Sequence, residues 1–280
     1  MAVSHIVGHP WWWARARLGK TPATEDETWL RLRAKWNGRA GKGKKIFKFP
    51  WGELQYLDYG QMLGQFRDIF LRKNYSFRAA TKSPTIVDCG GNIGLSAIWF
   101  KKTYPGCELT VYEASPAISE VLQNNLEGAG LGDVVMRNKA VWIHNGMIGF
   151  EANGPDSGKL SKNSAAQVSA IDLASELPER VDLLKLDIEG AEYPVLNRLC
   201  ETGAIDRIQA VVAEFHVWRS HIDEMLGALK RIRDAGMMVS FAAEPCPWIG
   251  SAARRSPFEA IGDFEMLMMV YGWRQTAEVA

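Results

Sequence analysis

The sequence predicts one doubly wound α/β domain over residues 83–280, preceded by an extension over residues 1–82. Three observations carry that reading. From about residue 84 onward, short apolar runs rich in β-branched residues alternate with segments of helical periodicity. The first run, Thr85, Ile86 and Val87, closes on Asp88 and a turn holding Gly90, Gly91 and Gly94, after which Leu95, Ile98 and Trp99 fall at helical spacing. The second run, Leu109, Val111 and Tyr112, ends at an acid, Glu113, 25 residues after Asp88.

The extension stands outside this alternation. Trp11, Trp12 and Trp13 read as an anchor onto the core or onto a partner subunit, which allows a homo-oligomer, or else as an aromatic platform for a substrate. Arg31, Arg33, Lys35, Arg39, Lys42, Lys44, Lys45 and Lys48 form a basic run without acids. Gly38, Gly41 and Gly43 interrupt it, which predicts a flexible basic loop rather than a helix. Such a loop is solvated or touches an anionic substrate or carrier. Residues 46–59, with Phe49-Pro50-Trp51-Gly52-Glu53 at their centre, read as a β-hairpin, and residues 62–77 as one amphipathic helix burying Phe66, Ile69 and Phe70.

Within the domain, Tyr104-Pro105-Gly106 stops the first helix. Ser115 and Pro116 cap and open a second helix that runs to about Leu126. Residues 134–138 form the third strand. Residues 142–151 and 167–171 alternate apolar with polar side chains, as antiparallel additions do, with a glycine- and serine-rich loop over 153–164. A buried strand over 181–187, a helix over 191–200 and a strand over 208–215 follow, the last ending in Glu214 and His216. Residues 221–235 form a helix with Ile222, Met225, Leu229 and Ile232 on one face. The last strands cover 237–242 and 264–271, joined by a loop rich in Pro, Gly and Ser over 244–258.

A strand, a glycine turn and a helix N-terminus make a ligand cradle at the carboxyl edge of a sheet. The glycines admit a ligand to the backbone, and free N–H groups at the helix start favour a negative group. A dinucleotide site wants Gly-x-Gly-x-x-Gly; here the spacing is Asp88-x-Gly90-x-x-x-Gly94, with the acid first. That pattern suits S-adenosyl-L-methionine, which carries an ammonium, a carboxylate and a sulfonium but no phosphate. Glu113 then accepts both ribose hydroxyls, and Asn138-Lys139-Ala140 flank the adenine. The bland alternatives are a tight connection and a surface glutamate that caps its strand.

Composition narrows the remaining classes. A net charge of +1 gives no global attraction to nucleic acid or membrane. Cys89, Cys107, Cys200 and Cys246 are widely spaced with no Cys-x-x-Cys pair, so neither a zinc site nor a disulfide framework is indicated. No secretory leader and no run of 18 apolar residues is found. The expectation is a soluble, cytoplasmic protein.

Three ordered motifs invite a family comparison. Asp88-Cys89-Gly90-Gly91-Asn92-Ile93-Gly94, then Val111-Tyr112-Glu113-Ala114-Ser115-Pro116, then Lys185-Leu186-Asp187-Ile188-Glu189-Gly190-Ala191-Glu192 resemble the FkbM family of S-adenosylmethionine-dependent methyltransferases over about residues 84–243. The resemblance implies a mostly parallel, seven-stranded, Rossmann-like sheet and O-methylation of a hydroxyl on a small molecule, a natural product or a saccharide. It implies that Asp88, Gly90, Asn92, Gly94 and Glu113 line the cofactor. It also implies that the Lys-x-Asp-x-Glu-Gly-x-Glu motif faces the reaction centre. Gly91 stands where the family usually has Ala, and Ala114-Ser115 where Pro often follows the Glu; neither removes a polar contact. The basic N-terminal region and the 244–258 loop, outside the matched motifs, are expected to choose the acceptor.

Transfer to an alcohol needs a base for the departing proton. Asp187, Glu189 and Glu192 lie at or just past one strand's end and His216 just past another's, and such ends share one crevice. His216, with an ordinary pKa near 6.5, is the expected base, assisted by Asp187 and Glu189. The alternative is a histidine that caps its strand. Asp187 has three open roles: holding the histidine, the cofactor ammonium or a divalent ion. Asp-x-Glu alone is a thin metal ligand set, so no metal is assigned. Glu192 reads equally as a solvated residue of a helix's first turn. A nicotinamide-dependent oxidoreductase is disfavoured by the glycine spacing and by the lack of a Tyr with Lys four residues later. A hydrolase lacks Gly-x-Ser-x-Gly, and nucleic-acid methylation lacks an Asn/Asp-Pro-Pro-aromatic motif. An inactive cofactor-binding module would have no reason to hold Asp187, Glu189 and His216.

Overall fold

The structure, a computed structural model, describes residues 25–37, 45–152, 154, 157–161, 164–244 and 264–275. Its frame is a seven-stranded sheet built from β3 (Thr85–Cys89), β4 (Glu108–Tyr112), β5 (Val135–Arg137), β10 (Leu183–Leu186), β11 (Ala210–Trp218), β12 (Met238–Glu244) and β13 (Phe264–Trp273). The order is β12-β13-β11-β10-β3-β4-β5. All pairs are parallel except those of β13, which runs antiparallel to both neighbours. Every residue of β10 is buried, as a central parallel strand requires. The register sets Lys185 of β10 directly beside Asp88 of β3.

Helices cover both faces, as a doubly wound sheet demands. On one, α5 (Leu173–Glu176), α6 (Glu192–Glu201) and α7 (Ile222–Asp234) pack Leu173, Leu196, Leu199, Met225 and Ile232 into one core with Val87, Leu184, Val211 and Phe215. On the other, α3 (Leu95–Thr103) and α4 (Pro116–Gly128) join the N-terminal elements over Ile86, Val111, Leu183 and Val212. Ser115 caps α4 by accepting the Ile118 N–H, with Pro116 in the first turn, as expected.

The N-terminal elements are α1 (Glu25–Asn37), the hairpin β1 (Ile46–Phe49) and β2 (Gly52–Gln55), and α2 (Tyr59–Phe66). Phe66 and Phe70 stack on each other at 4.8 Å, and Trp51 stacks on Phe70 at 5.0 Å, so this segment shares the domain's core. Two expectations are corrected here. The basic run starts on a helix, since Arg31, Arg33 and Lys35 belong to α1, whose first turn carries Glu25, Asp26 and Glu27. Lys48 lies on β1, and residues 38–44 fall outside the described residues. The helix expected over 62–77 starts at Tyr59, because Asp58 caps it by accepting the Gln61 N–H at 2.9 Å. It continues as a π-helix over Arg67–Leu71 and stops there, with Lys73 at φ 57°. The Trp11–Trp13 run, Cys246 and the 245–258 stretch also lie outside the described residues.

The antiparallel additions form a sheet of their own. Strands β6 (Ala140–Trp142), β7 (Gly146–Ala152), β8 (Gly158–Leu160) and β9 (Gln167–Asp172) run in the order β6-β9-β7-β8. Strand β8 arises inside the stretch read as a loop, and β6 pairs parallel to β9. Three-residue strands leave too little alternation for a sequence pattern to register. Among the described residues no helix is long and apolar enough to cross a membrane.

Candidate active site

The turn after β3 is held by its neighbours rather than left open. Gly90 N and Gly91 N both donate to Tyr112 O at 2.9 Å, and Asn92 N donates to Glu113 Oε2 at 3.0 Å. Ile93 N donates to the Asn92 side chain at 2.7 Å. The N–H groups expected to be free for a negative ligand are therefore largely satisfied. A Cβ on Gly90 would lie 1.8 Å from Asp187 O, and one on Gly94 would meet Leu122 at 2.9 Å. The glycines serve the close approach of backbone and helix, at φ 89° and 95°, before they serve any ligand.

A cavity of about 740 Å³ opens past the carboxyl ends of the central strands. Of the expected residues, Gly90, Asn92, Glu113, Ala140, Asp187, Glu189 and His216 line it. Asp88 and Gly94 do not. Asp88 is wholly buried, accepting from Ser96 Oγ at 2.6 Å and pairing with Lys185 Nζ at 3.0 Å. Lys185 also donates to Gly90 O at 2.6 Å and lies 3.7 Å from Asp187. Burial disfavours its charge, but Asp88 and Asp187 outweigh that and hold its pKa above the ordinary lysine value. Asp88 thus anchors the turn from beneath.

Glu113 joins two strand ends, its second oxygen accepting from Ser115 N at 2.9 Å. Burial raises its carboxyl above the usual range, against the pull of the Ser115 and Asn92 amides and Lys185. Ala114, Ile118 and Val141 add apolar wall beside Ala140. The rest of the lining includes residues that were not expected at the site. Gln61, Gln65, Arg67 and Asp68 of α2 and its π-helical continuation contribute to it, as do Asn74 and Leu267 and Met269 of β13. Gln61, Gln65 and Asp68 recur at i, i+4 and i+7, a polar helical stripe that was legible as a second face.

His216 lies inside β11, which runs two residues further, to Trp218. Its Nδ1 is 3.2 Å from Glu192 Oε1 and its Nε2 is 3.3 Å from Glu189 Oε2. Burial opposes the charged ring, but Glu192, Glu189 and Asp187 outweigh it and hold the imidazole well above its ordinary pKa. The expectation of a histidine of ordinary pKa is corrected accordingly: the carboxylates around this ring favour its charged form. Glu189 is pushed up to about 7 by burial, pulled back by His216 and raised again by Asp187 and Glu192. With 37% of its side chain exposed, solvent tempers that shift. Glu214 is pushed up to about 8 by burial and Asp187, with His216 and Lys185 opposing. Glu192, read from sequence as a residue with an equal claim to solvent, is fully buried.

Asp187, Glu214 and His216 bring three ligand-type atoms within 4.8 Å of one another. Both ring nitrogens of His216 already face carboxylates, Nδ1 that of Glu192 and Nε2 that of Glu189. Among the described residues, Cys89, Cys107 and Cys200 are free thiols.

The family model described as "Methyltransferase FkbM domain" matches residues 88–237, more than half of the chain. Curated relatives include "Methyltransferase 1" of Beauveria bassiana, 29% identical over 177 residues, spanning 53% of this chain and 71% of that protein. "Methyltransferase sdnD" of Sordaria araneosa is 26% identical over 193 residues, spanning 53% of this chain and 73% of that protein. Among solved structures, the "SAM Dependent Methyltransferase from Agrobacterium tumefaciens" superposes with a TM-score of 0.51 at 12% identity, covering 85% of this chain and 72% of that one, a likeness of fold.

Proposed function

The chain belongs to the FkbM family of methyltransferases, and from that premise we propose that it moves a methyl group from S-adenosyl-L-methionine to a hydroxyl of a small polyhydroxylated acceptor, a saccharide or natural product. The observation that carries this reading is what one cavity brings together. Its lining combines apolar side chains beside the buried Glu113 carboxylate, the side-chain amides of Gln61, Gln65 and Asn74, and the Glu189–His216 pair.

The residues present fit the cofactor. Each Glu113 oxygen uses one amide N–H and retains a lone pair for a ribose hydroxyl. Ala114, Ile118 and Ala140 offer apolar wall to an adenine, and Asp187 offers a carboxylate to an ammonium. When bound, S-adenosylmethionine supplies an electrophilic methyl on a cationic sulfur. Gln61, Gln65 and Asn74 hold the acceptor hydroxyls and orient one of them, which is where much of the rate of an in-line transfer originates. Glu189 takes that hydroxyl's proton at Oε2. His216, as imidazolium, keeps the Glu189 carboxyl low enough to be ionised near neutral pH. The free thiols suit a reducing, cytoplasmic setting.

Isothermal titration tests the cofactor: S-adenosylmethionine should bind and NAD should not. A screen of hydroxylated acceptors for methylated product tests the rest. Binding of NAD alone, or product only from amine or nucleic-acid acceptors, would overturn the reading.

A further inference from the structure

Helix α6 begins with a carboxylate that solvent does not reach. Glu192 is 0% exposed, although a glutamate in a helix's first turn ordinarily stands in water. One of its oxygens has gathered three donors. Oε1 accepts from Ile188 N at 2.9 Å and Gly190 N at 3.2 Å, and lies 3.2 Å from His216 Nδ1. The residue between those two amides is Glu189, which sits at φ 55°, a conformation that residues other than glycine seldom take. Gly190 follows at φ 99°, and a Cβ there would collide with the Trp218 ring at 2.7 Å. That indole in turn stacks on His216, with centroids 6.0 Å apart.

We propose that Glu192 is the positioning residue of the reaction centre. Through one buried oxygen it ties the Ile188–Gly190 turn and the His216 ring to the start of α6, and so sets how Glu189 and His216 face each other. The catalytic part of this inference rests on the reading of Glu189 and His216 given above. The geometric part does not.

The consequences follow from the donors. With Nδ1–H donating to Glu192, the orientation of the ring is fixed and Nε2–H is the donor presented to Glu189 and the cavity. With two amides held by the same oxygen, the turn cannot relax into an ordinary conformation that would swing Glu189 away. The charged groups around the ring are Glu192 from α6, Glu189 and Asp187 from the turn after β10, and Glu214 on its own strand. Lys185 stands on the neighbouring strand, and the register places Leu267 of β13 opposite the ring. Glu192 is the fully buried carboxylate of that set.

The test is long-range nitrogen–proton NMR of the imidazole rings in the wild-type chain, with His216→Asn for assignment. The expected spectrum shows His216 charged at neutral pH with a hydrogen-bonded Nδ1. Glu192→Gln keeps the volume and removes the charge. It should lower the His216 pKa by about 1–3 units, and Glu192→Asp should restore part of that fall. With an acceptor from the screen, Glu192→Gln should cut kcat by about 10²-fold while cofactor affinity and acceptor KM hold within about twofold of wild type. If Glu192→Gln does not fold, the wild-type spectrum still decides: a neutral ring at pH 7 or an unbonded Nδ1 overturns the proposal. An unmoved His216 titration in folded Glu192→Gln also overturns it. A shifted titration with unchanged kcat leaves Glu192 as the tether and overturns the catalytic reading of the pair instead.

Discussion

Lys185 Nζ lies 3.0 Å from Asp88 Oδ1 beneath the Gly90 turn, with 2% and 0% of the two side chains reaching solvent. The pair follows from strand register, which sets the two residues side by side in adjacent parallel strands. A buried pair adds little net stability, but removing one partner strands the other charge. Lys185→Met should therefore destabilise the fold by roughly 3–5 kcal/mol, read from urea unfolding. Adding Asp88→Asn should recover much of that loss, because the two sites are directly coupled. A single variant costing under about 1 kcal/mol would mean the pair is solvated.

Gly90 makes a second claim about the same turn. A side chain there would meet the Asp187 carbonyl, not empty cradle. Gly90→Ala should fail to fold or lose more than about 3 kcal/mol, since backbone cannot yield as a side chain does. Gly130 also has a positive φ, 72°, but nothing within 4 Å of a Cβ. Gly130→Ala should cost only about 1 kcal/mol, a thermal shift of roughly 2–4 °C. Equal melting of the two variants would contradict the close approach.

Much of this was legible in the sequence. The strand–turn–helix from Thr85 to Phe100, the Ser115-Pro116 cap and the acid at Glu113 are local signals, and each lies where its spacing put it. What the sequence hid is what depends on neighbours. Asp88 reads as a ligand acid because its motif says so; only the register of β10 reveals that Lys185 occupies it. His216 reads as an ordinary histidine because Glu192, 24 residues away, has no sequence mark of burial. The helix stop near Leu71 rests on Lys73 taking φ 57°, which lysine does not announce.

Gln61 and Gln65 give a prediction that tests the proposed acceptor contacts apart from the cofactor. Among the described residues, their side-chain amides line the cavity without a protein hydrogen-bond partner. Gln65→Ala should raise acceptor KM by roughly 5–10-fold, the effect of one hydrogen bond of about 1–1.5 kcal/mol. Cofactor affinity, by titration, should stay within about twofold of wild type. A loss of cofactor affinity instead would place these amides on the cofactor.

The pH profile decides which group takes the proton. Glu189 acts as a base only when ionised, and its pKa is pushed up to about 7. The rate should therefore rise as pH increases through about 7 and level off above it. A histidine base of ordinary pKa would give nearly the same limb, so the wild-type profile alone does not discriminate. The variants do. His216 lowers the Glu189 pKa, so removing that cation must raise it. In His216→Asn the limb should persist and move to higher pH, with slower turnover at pH 7 and partial recovery at pH 9. In Glu189→Gln the limb should vanish and turnover fall by about 10²–10⁴-fold, the usual worth of general-base assistance. If His216→Asn abolishes the limb and Glu189→Gln keeps it, the imidazole is the base, and the two carboxylates beside it serve only to hold it.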